Sequence, residues 1–187
     1  MSPALAKATN DEIVAAALDI IARTGVEALS LTAVAEAVGI RAPSLYKRFA
    51  SRAVLMNSVR DRALIELAAR LRDARRRKSG RAAIKAMAAA YRDWGKDRPN
   101  LYRLVHSSPA FALTPAATSA TAPVLEELSV LGGERNALAA ARLFTSFLHG
   151  FVIMEIDGAF KMGGSIDAAF TFGLEAIIRG LEGAKRS

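Results

Sequence analysis

Arg41, Ser44, Tyr46 and Lys47 lie within seven consecutive residues, with Ala42 and Pro43 between the first two. Arginine and lysine at such spacing can donate to guanine edges, a short apolar side chain such as Ala42 can meet a thymine methyl, and hydroxyls can donate to phosphate. Two further hydroxyl positions, Ser30 and Thr32, come just before, and Arg52 just after. The chemistry on offer is recognition of a polyanion. Other chemistries have few groups to draw on. The chain has no cysteine and only two histidines, His106 and His149, so thiolate and histidine-built metal sites are not expected. Glu155 and Asp157, two apart, point to different helix faces, and Ser107 and Ser108 follow His106 with no acid partner or nucleophile-elbow pattern. No enzyme, cofactor or metal is expected.

Charge agrees with this. The 187 residues carry 26 Lys and Arg against 18 Asp and Glu, a net charge of +8. The excess is local: residues 51–81 hold 10 cations and 3 anions, whereas residues 1–50 are balanced at 5 and 5. Its densest run is Arg75-Arg76-Arg77-Lys78, read either as cations at a helix end or as phosphate attraction. Polyanion here means nucleic acid or an anionic membrane surface. No 18-residue window is free of polar groups and the N-terminus lacks a signal-peptide pattern, so no membrane span is expected and the cytoplasm is the default location.

Every element needed to place these residues reads as helix. Alanine is abundant, β-branched runs are short, and apolar residues recur at helical spacing. Thr9 or Asn10 can cap a first helix to about Arg23, stopped by Gly25. Ser30 can cap a second from Leu31 to Val38, and Pro43 opens a third running to Phe49. Ser51 starts a long basic fourth helix reaching the arginine run, near 78. Further helices are expected near 81–96, 98–107, 115–131, 134–157 and 166–182. The Ala/Ser/Thr/Pro-rich segment Ser107–Ala122 is expected to be the most mobile part. The second and third helices, joined at Gly39-Ile40-Arg41, make a helix-turn-helix with an apolar underside of Val34, Ala35, Val38, Ile40, Leu45 and Phe49. The fold class is all-α: a three-helix head in residues 1–55, the connecting helix, and a helical domain in 79–187.

The stretch LSLTAVAEAVGIRAPSLYKRFASRAVL, Leu29–Leu55, resembles the DNA-binding region of the tetracycline-repressor family. The shared features are the Gly-Ile turn, Leu-Tyr-x-x-Phe in the third helix and Ser-basic-x-x-Leu opening the fourth. The resemblance implies phosphate contacts by Tyr46, Arg52 and Ser30. Pro43 departs from the pattern by removing a backbone donor. Trp94-Gly95, Pro99-Asn100-Leu101-Tyr102 and His149-Gly150 resemble the Trp/His-Gly type of C-terminal domain in that family. That implies homodimerisation and a small-molecule effector.

The C-terminal sequence supports a buried pairing element on its own. No charged side chain occurs from Leu143 to Met154, and a helix apolar all round must be covered on every side. The 134–157 and 166–182 helices are therefore expected to form a homodimer interface, with Ile166, Phe170, Gly173, Ile177 and Leu181 facing it. An apolar or aromatic effector is expected near Met87, Tyr91, Trp94, Tyr102, Phe111, Phe147, His149 and Phe151. The reading is thus a ligand-responsive regulator, most simply a repressor, on a near-palindromic double-stranded DNA operator. The alternatives are a constitutive DNA-binding protein and a helical small-molecule-binding module.

Overall fold

The computed structural model describes residues 8–107 and 114–185, and all regular structure among them is helical. The helices are α1 Asn10–Thr24, α2 Leu31–Ala37, α3 Ala42–Tyr46, α4 Arg52–Arg75, α5 Gly80–Asp97, α6 Pro99–His106, α7 Pro115–Gly132, α8 Ala137–Ile156 and α9 Ile166–Lys185. A 3-10 turn, Glu134–Asn136, precedes α8. The chain divides into two compact units, residues 1–65 with 98–116 and residues 66–97 with 117–187. The boundary falls inside α4, and α6 groups with the N-terminal helices rather than with the C-terminal domain.

In the first unit, Thr9 caps α1 through a capping box with Glu12, and both reciprocal hydrogen bonds are present. These bonds hold the Glu12 carboxyl below its usual pKa. Ile13, Ala17, Leu18 and Ile21 turn inward along one face of α1. Against α1 packs α6, tied by a 3.1 Å bond from the Asn100 amide to the Ala22 carbonyl. Ser30 caps α2 by accepting from the Ala33 amide at 3.0 Å.

The turn into α3 is a Schellman closure. Gly39 sits at φ 68°, its amide reaches the Glu36 carbonyl and the Ile40 amide reaches that of Ala35. Pro43 occupies the second helical position, where its missing N–H is no loss. The helix ends at Tyr46, three residues short of Phe49. The reason is visible in the bonding: the Arg48 amide closes a tight turn onto Leu45, and the Phe49 amide shares the same carbonyl.

In the second unit, α5, α8 and α9 are neighbours, and their buried stripes carry Ile84, Met87 and Trp94 from α5, Phe144, Leu148 and Val152 from α8, and Phe170, Leu174 and Ile178 from α9. The arginine run is partly committed to structure. The helix ends at Arg75, and Arg77 leaves helical geometry at φ 62°. Arg75 binds Glu127 at 2.7 Å and Glu126 at 2.5 Å. Glu127, 3% exposed, also accepts the Gly80 amide at the start of α5. The cations at the end of α4 therefore serve in part to fasten α7 and the entry to α5. From Pro115 the Ala/Ser/Thr/Pro-rich segment is regular helix, despite Pro123.

Gly173 is a close-approach position. A Cβ built there would lie 2.5 Å from the Phe147 ring, whose face occupies the space between α8 and α9. Gly173→Ala should therefore cost about 1–3 kcal/mol of stability through overpacking. Adding Phe147→Leu should recover part of it. Denaturant melts of the single and double variants check this; additive losses would rule the contact out as the cause.

Candidate nucleic-acid interface

The helix-turn-helix presents one wet face and one dry one. Val34, Ala35, Leu45 and Phe49 are buried beneath it. Arg41, Ser44, Tyr46 and Lys47 are exposed, with Ala42 half-buried among them. Tyr46 is 54% exposed although it directly follows the buried Leu45. Arg41 stands at the N-cap of α3, exposed; its guanidinium only donates and so cannot cap the helix amides. Ser30 and Thr32, at the start of α2, are also exposed, although the Ser30 oxygen already accepts from Ala33. These positions lie on elements fixed by buried residues and a glycine turn, so the face is preorganised.

Two arginines beside this face are engaged within the unit. Arg48 donates to the Ala8 carbonyl ahead of α1. Arg52 donates through Nε to the Leu29 carbonyl at 2.7 Å and through Nη2 to that of Val26. Sequence reasoning took Arg52 for a phosphate contact and did not foresee its bonds to the chain's own backbone.

Of the eight effector candidates, seven lie among the described residues. Met87, Tyr91 and Trp94 are buried along α5, with Trp94 at 0% exposure. Tyr102 is buried in the first unit, on α6, its ring 4.6 Å from that of His106. Phe111 lies outside the described residues. Phe147 stacks on Phe170 at 5.8 Å, and Phe151 meets Phe160 at 4.8 Å and Phe170 at 5.1 Å. These two rings thus belong to the α8–α9 packing. His149 is half-buried on α8, and that burial pushes its pKa below the ordinary value, favouring the neutral ring. A cavity of about 270 Å³ opens between α5 and α9, lined by Lys85, Ala89, Arg92, Asp93, Phe170 and Thr171 among others. None of the seven described candidates is among its lining residues.

What sequence reasoning missed is Arg92. Its side chain is 10% exposed and bridges α5 to two other helices, through Glu155 at 2.6 Å and Asp167 at 2.7 Å. Its guanidinium also covers the Phe170 ring, 4.8 Å from the centroid. Phe170 is consequently core of its own subunit, not an interface residue as the helical wheel suggested. The outward aromatic on α9 is Phe172, 73% exposed. The hydrogen bonds from Arg92, assisted by Lys96, hold the Glu155 carboxyl below the usual carboxylate range against the opposing effect of burial.

Comparison with known proteins places these features. Residues 13–59 match the family model for bacterial regulatory proteins of the tetR family, and residues 84–177 match that for the tetracyclin repressor-like C-terminal domain. The chain is 35% identical over 186 residues to an HTH-type transcriptional regulator of Mycobacterium tuberculosis, covering 95% of this chain and 83% of the relative. The fold is shared with BioQ solved with its double-stranded DNA operator, at TM-score 0.70, 23% identity, and coverage of 95% and 99% of the two chains. It is shared too with the Q116A variant of TetR from Acinetobacter baumannii solved with minocycline, at TM-score 0.74, 22% identity, and coverage of 97% and 100%.

Proposed function

This chain belongs to the tetR family of DNA-binding transcriptional regulators, and we propose that it is a ligand-responsive repressor acting as a homodimer on a near-palindromic operator. The observation that carries the DNA-reading part is the exposed set Arg41, Ser44, Tyr46 and Lys47 on and flanking α3, above the buried Val34, Ala35, Leu45 and Phe49, with Val38 and Ile40 half-buried. Each subunit would set α3 in a major groove, with the two heads about 34 Å apart or a multiple of that. Because α4 is one continuous helix from Arg52 to Arg75, its tilt would change head spacing without altering the heads. An effector acts only by binding one spacing better than the other. We take that effector to be apolar or aromatic, bound in the C-terminal unit, where aromatic side chains from α5, α8 and α9 concentrate. Such a protein works in the cytoplasm, where the DNA is. In the alternative reading, a constitutive DNA binder, no small molecule releases the operator.

The test begins with selection of bound duplexes from random DNA. On the selected operator, Arg41→Ala and Lys47→Ala should each lose about 1–3 kcal/mol of preference over random DNA, because each removes donors able to reach guanine. Titration at several salt concentrations measures this. An unchanged operator-to-random ratio in both variants would reject α3 as the reader. Challenge of the complex with a library of aromatic metabolites then separates the two readings, since failure of all of them to release DNA would favour the constitutive one.

A further inference from the structure

We infer that Arg52 is a positioning residue for DNA recognition, holding the α1–α2 loop on the start of α4, rather than a phosphate contact. The inference rests on the DNA-binding reading above. Arg52 is the first residue of α4, and a cation there faces the positive end of the helix dipole. Its side chain resolves that conflict by turning away from its own helix to two carbonyls of the loop. A guanidinium carries five N–H groups in a fixed fork, and here two separate nitrogens, Nε and Nη2, each serve one carbonyl. Both acceptors lie in the short connection between Gly25 and Ser30. The Val26 carbonyl also accepts the Leu29 amide at 3.2 Å, so Arg52 closes a turn that the backbone has already begun. Leu29 is buried and immediately precedes Ser30, the cap of α2.

The consequence reaches the reader helix through bonds already described. α2 is seven residues long and too short to hold its place by its own hydrogen bonds. Its C-terminal end is fixed to α3 by the Gly39 closure, and its N-terminal end to α4 by Arg52. Loss of the second attachment lets α2 shift, and α3 shifts with it. Arg48, donating to the Ala8 carbonyl, does the corresponding work for the entry to α1. Neither arginine pairs with a side-chain carboxylate in the described residues; both are committed to backbone carbonyls.

The two roles give opposite results in one set of measurements. Affinities of Arg52→Ala and Arg52→Lys for the selected operator and for random duplex are taken across a salt series, well below the melting temperature. Amide exchange is followed in the free protein. As a positioning residue, Arg52→Ala lowers the operator-to-random ratio by about thirtyfold, the middle of the range for one lost base contact, and leaves the salt slope unchanged. Amides of Leu29 and of Ala33 to Val38 exchange faster without DNA present. Lysine keeps the charge but offers one nitrogen where arginine places two, so Arg52→Lys also lowers the operator-to-random ratio and speeds the same exchange. A phosphate contact instead gives a salt slope about one unit shallower in Arg52→Ala, an unchanged ratio, near wild-type behaviour for Arg52→Lys, and unaltered exchange, and that pattern overturns the proposal. If Arg52→Ala does not fold, the lysine variant alone decides, because the two roles predict opposite outcomes for it. If no duplex is selected at all, the DNA-binding reading fails, while exchange in the free protein still tests the loop attachment.

Discussion

Replacement of Arg92 by alanine should destabilise the protein by about 3 kcal/mol, at the lower end of the cost of breaking a buried ion pair. The loss comes less from the bond removed than from what stays behind. Glu155 is 10% exposed, and without Arg92 its charge would keep only Lys96, at 3.2 Å and half-exposed. Asp167, 81% exposed, is returned to water at little cost, so the damage is centred on Glu155. Phe170 also loses the cation above its ring. Arg92→Met with Glu155→Leu should recover most of the loss, since an apolar pair of similar volume leaves no buried charge. The pH dependence has a definite sign. A carboxyl whose pKa is lowered by folding contributes stability above its unfolded pKa and loses it as pH falls through the folded one. The deficit of Arg92→Ala is therefore full near neutrality and shrinks as pH falls below the carboxylate range. Chemical denaturation of the three proteins at neutral and acidic pH checks both statements. A deficit that is the same at both would show that packing, not the Glu155 charge, sets the cost.

Arg92 also marks where the sequence stops being legible. The local signals of the head are written in single residues: Thr9 with Glu12, Ser30, Gly25, Gly39 and Pro43 each serve a cap or turn. Such signals act within a few positions, so the elements and their order can be read directly. Pairing between helices cannot. Phe147, Phe151 and Phe170 read equally well as pocket, interface or core, because periodicity assigns a face and not a partner. One signal did point to the ion cluster. Glu155 ends an uncharged run from Leu143 to Met154, and Arg92 falls four residues after Ala88 on the apolar stripe of α5. A charge on each of two apolar faces is a cue that the faces meet. The same limit applies to Arg52: residue type and position agree with a phosphate contact, and only coordinates reveal the carbonyls of Val26 and Leu29 as its acceptors.

Replacement of Phe172 by glutamate should give a folded monomer whose affinity for the full operator falls by about 10²–10⁴-fold, because two linked heads bind far better than one. The argument starts from a surplus of apolar surface. An 18-residue window within Glu134–Ile156 has a mean hydropathy of 1.6, so this helix is long and apolar enough to cross a membrane by length and composition alone. Within one chain it is incompletely covered, with Leu138 57%, Leu143 52% and Met154 45% exposed on α8, and Phe172 73% exposed on α9. Exposed apolar side chains in this number on adjoining helices call for a partner surface, and a second copy offers the same surface in return. Four helices would then enclose what two leave open. Phe172 is the informative position because its ring makes no part of the aromatic packing around Phe170. A charge at residue 172 remains in water in the monomer and is buried only on association. Phe170→Glu is the contrast: that ring is 5% exposed, so the variant should unfold rather than dissociate. Light scattering and circular dichroism on both variants, with binding to a full operator and to an isolated half-site, separate the cases. Unchanged half-site affinity with lost full-site affinity would follow from a broken dimer. A Phe172→Glu protein that stays dimeric at micromolar concentration would place the interface elsewhere.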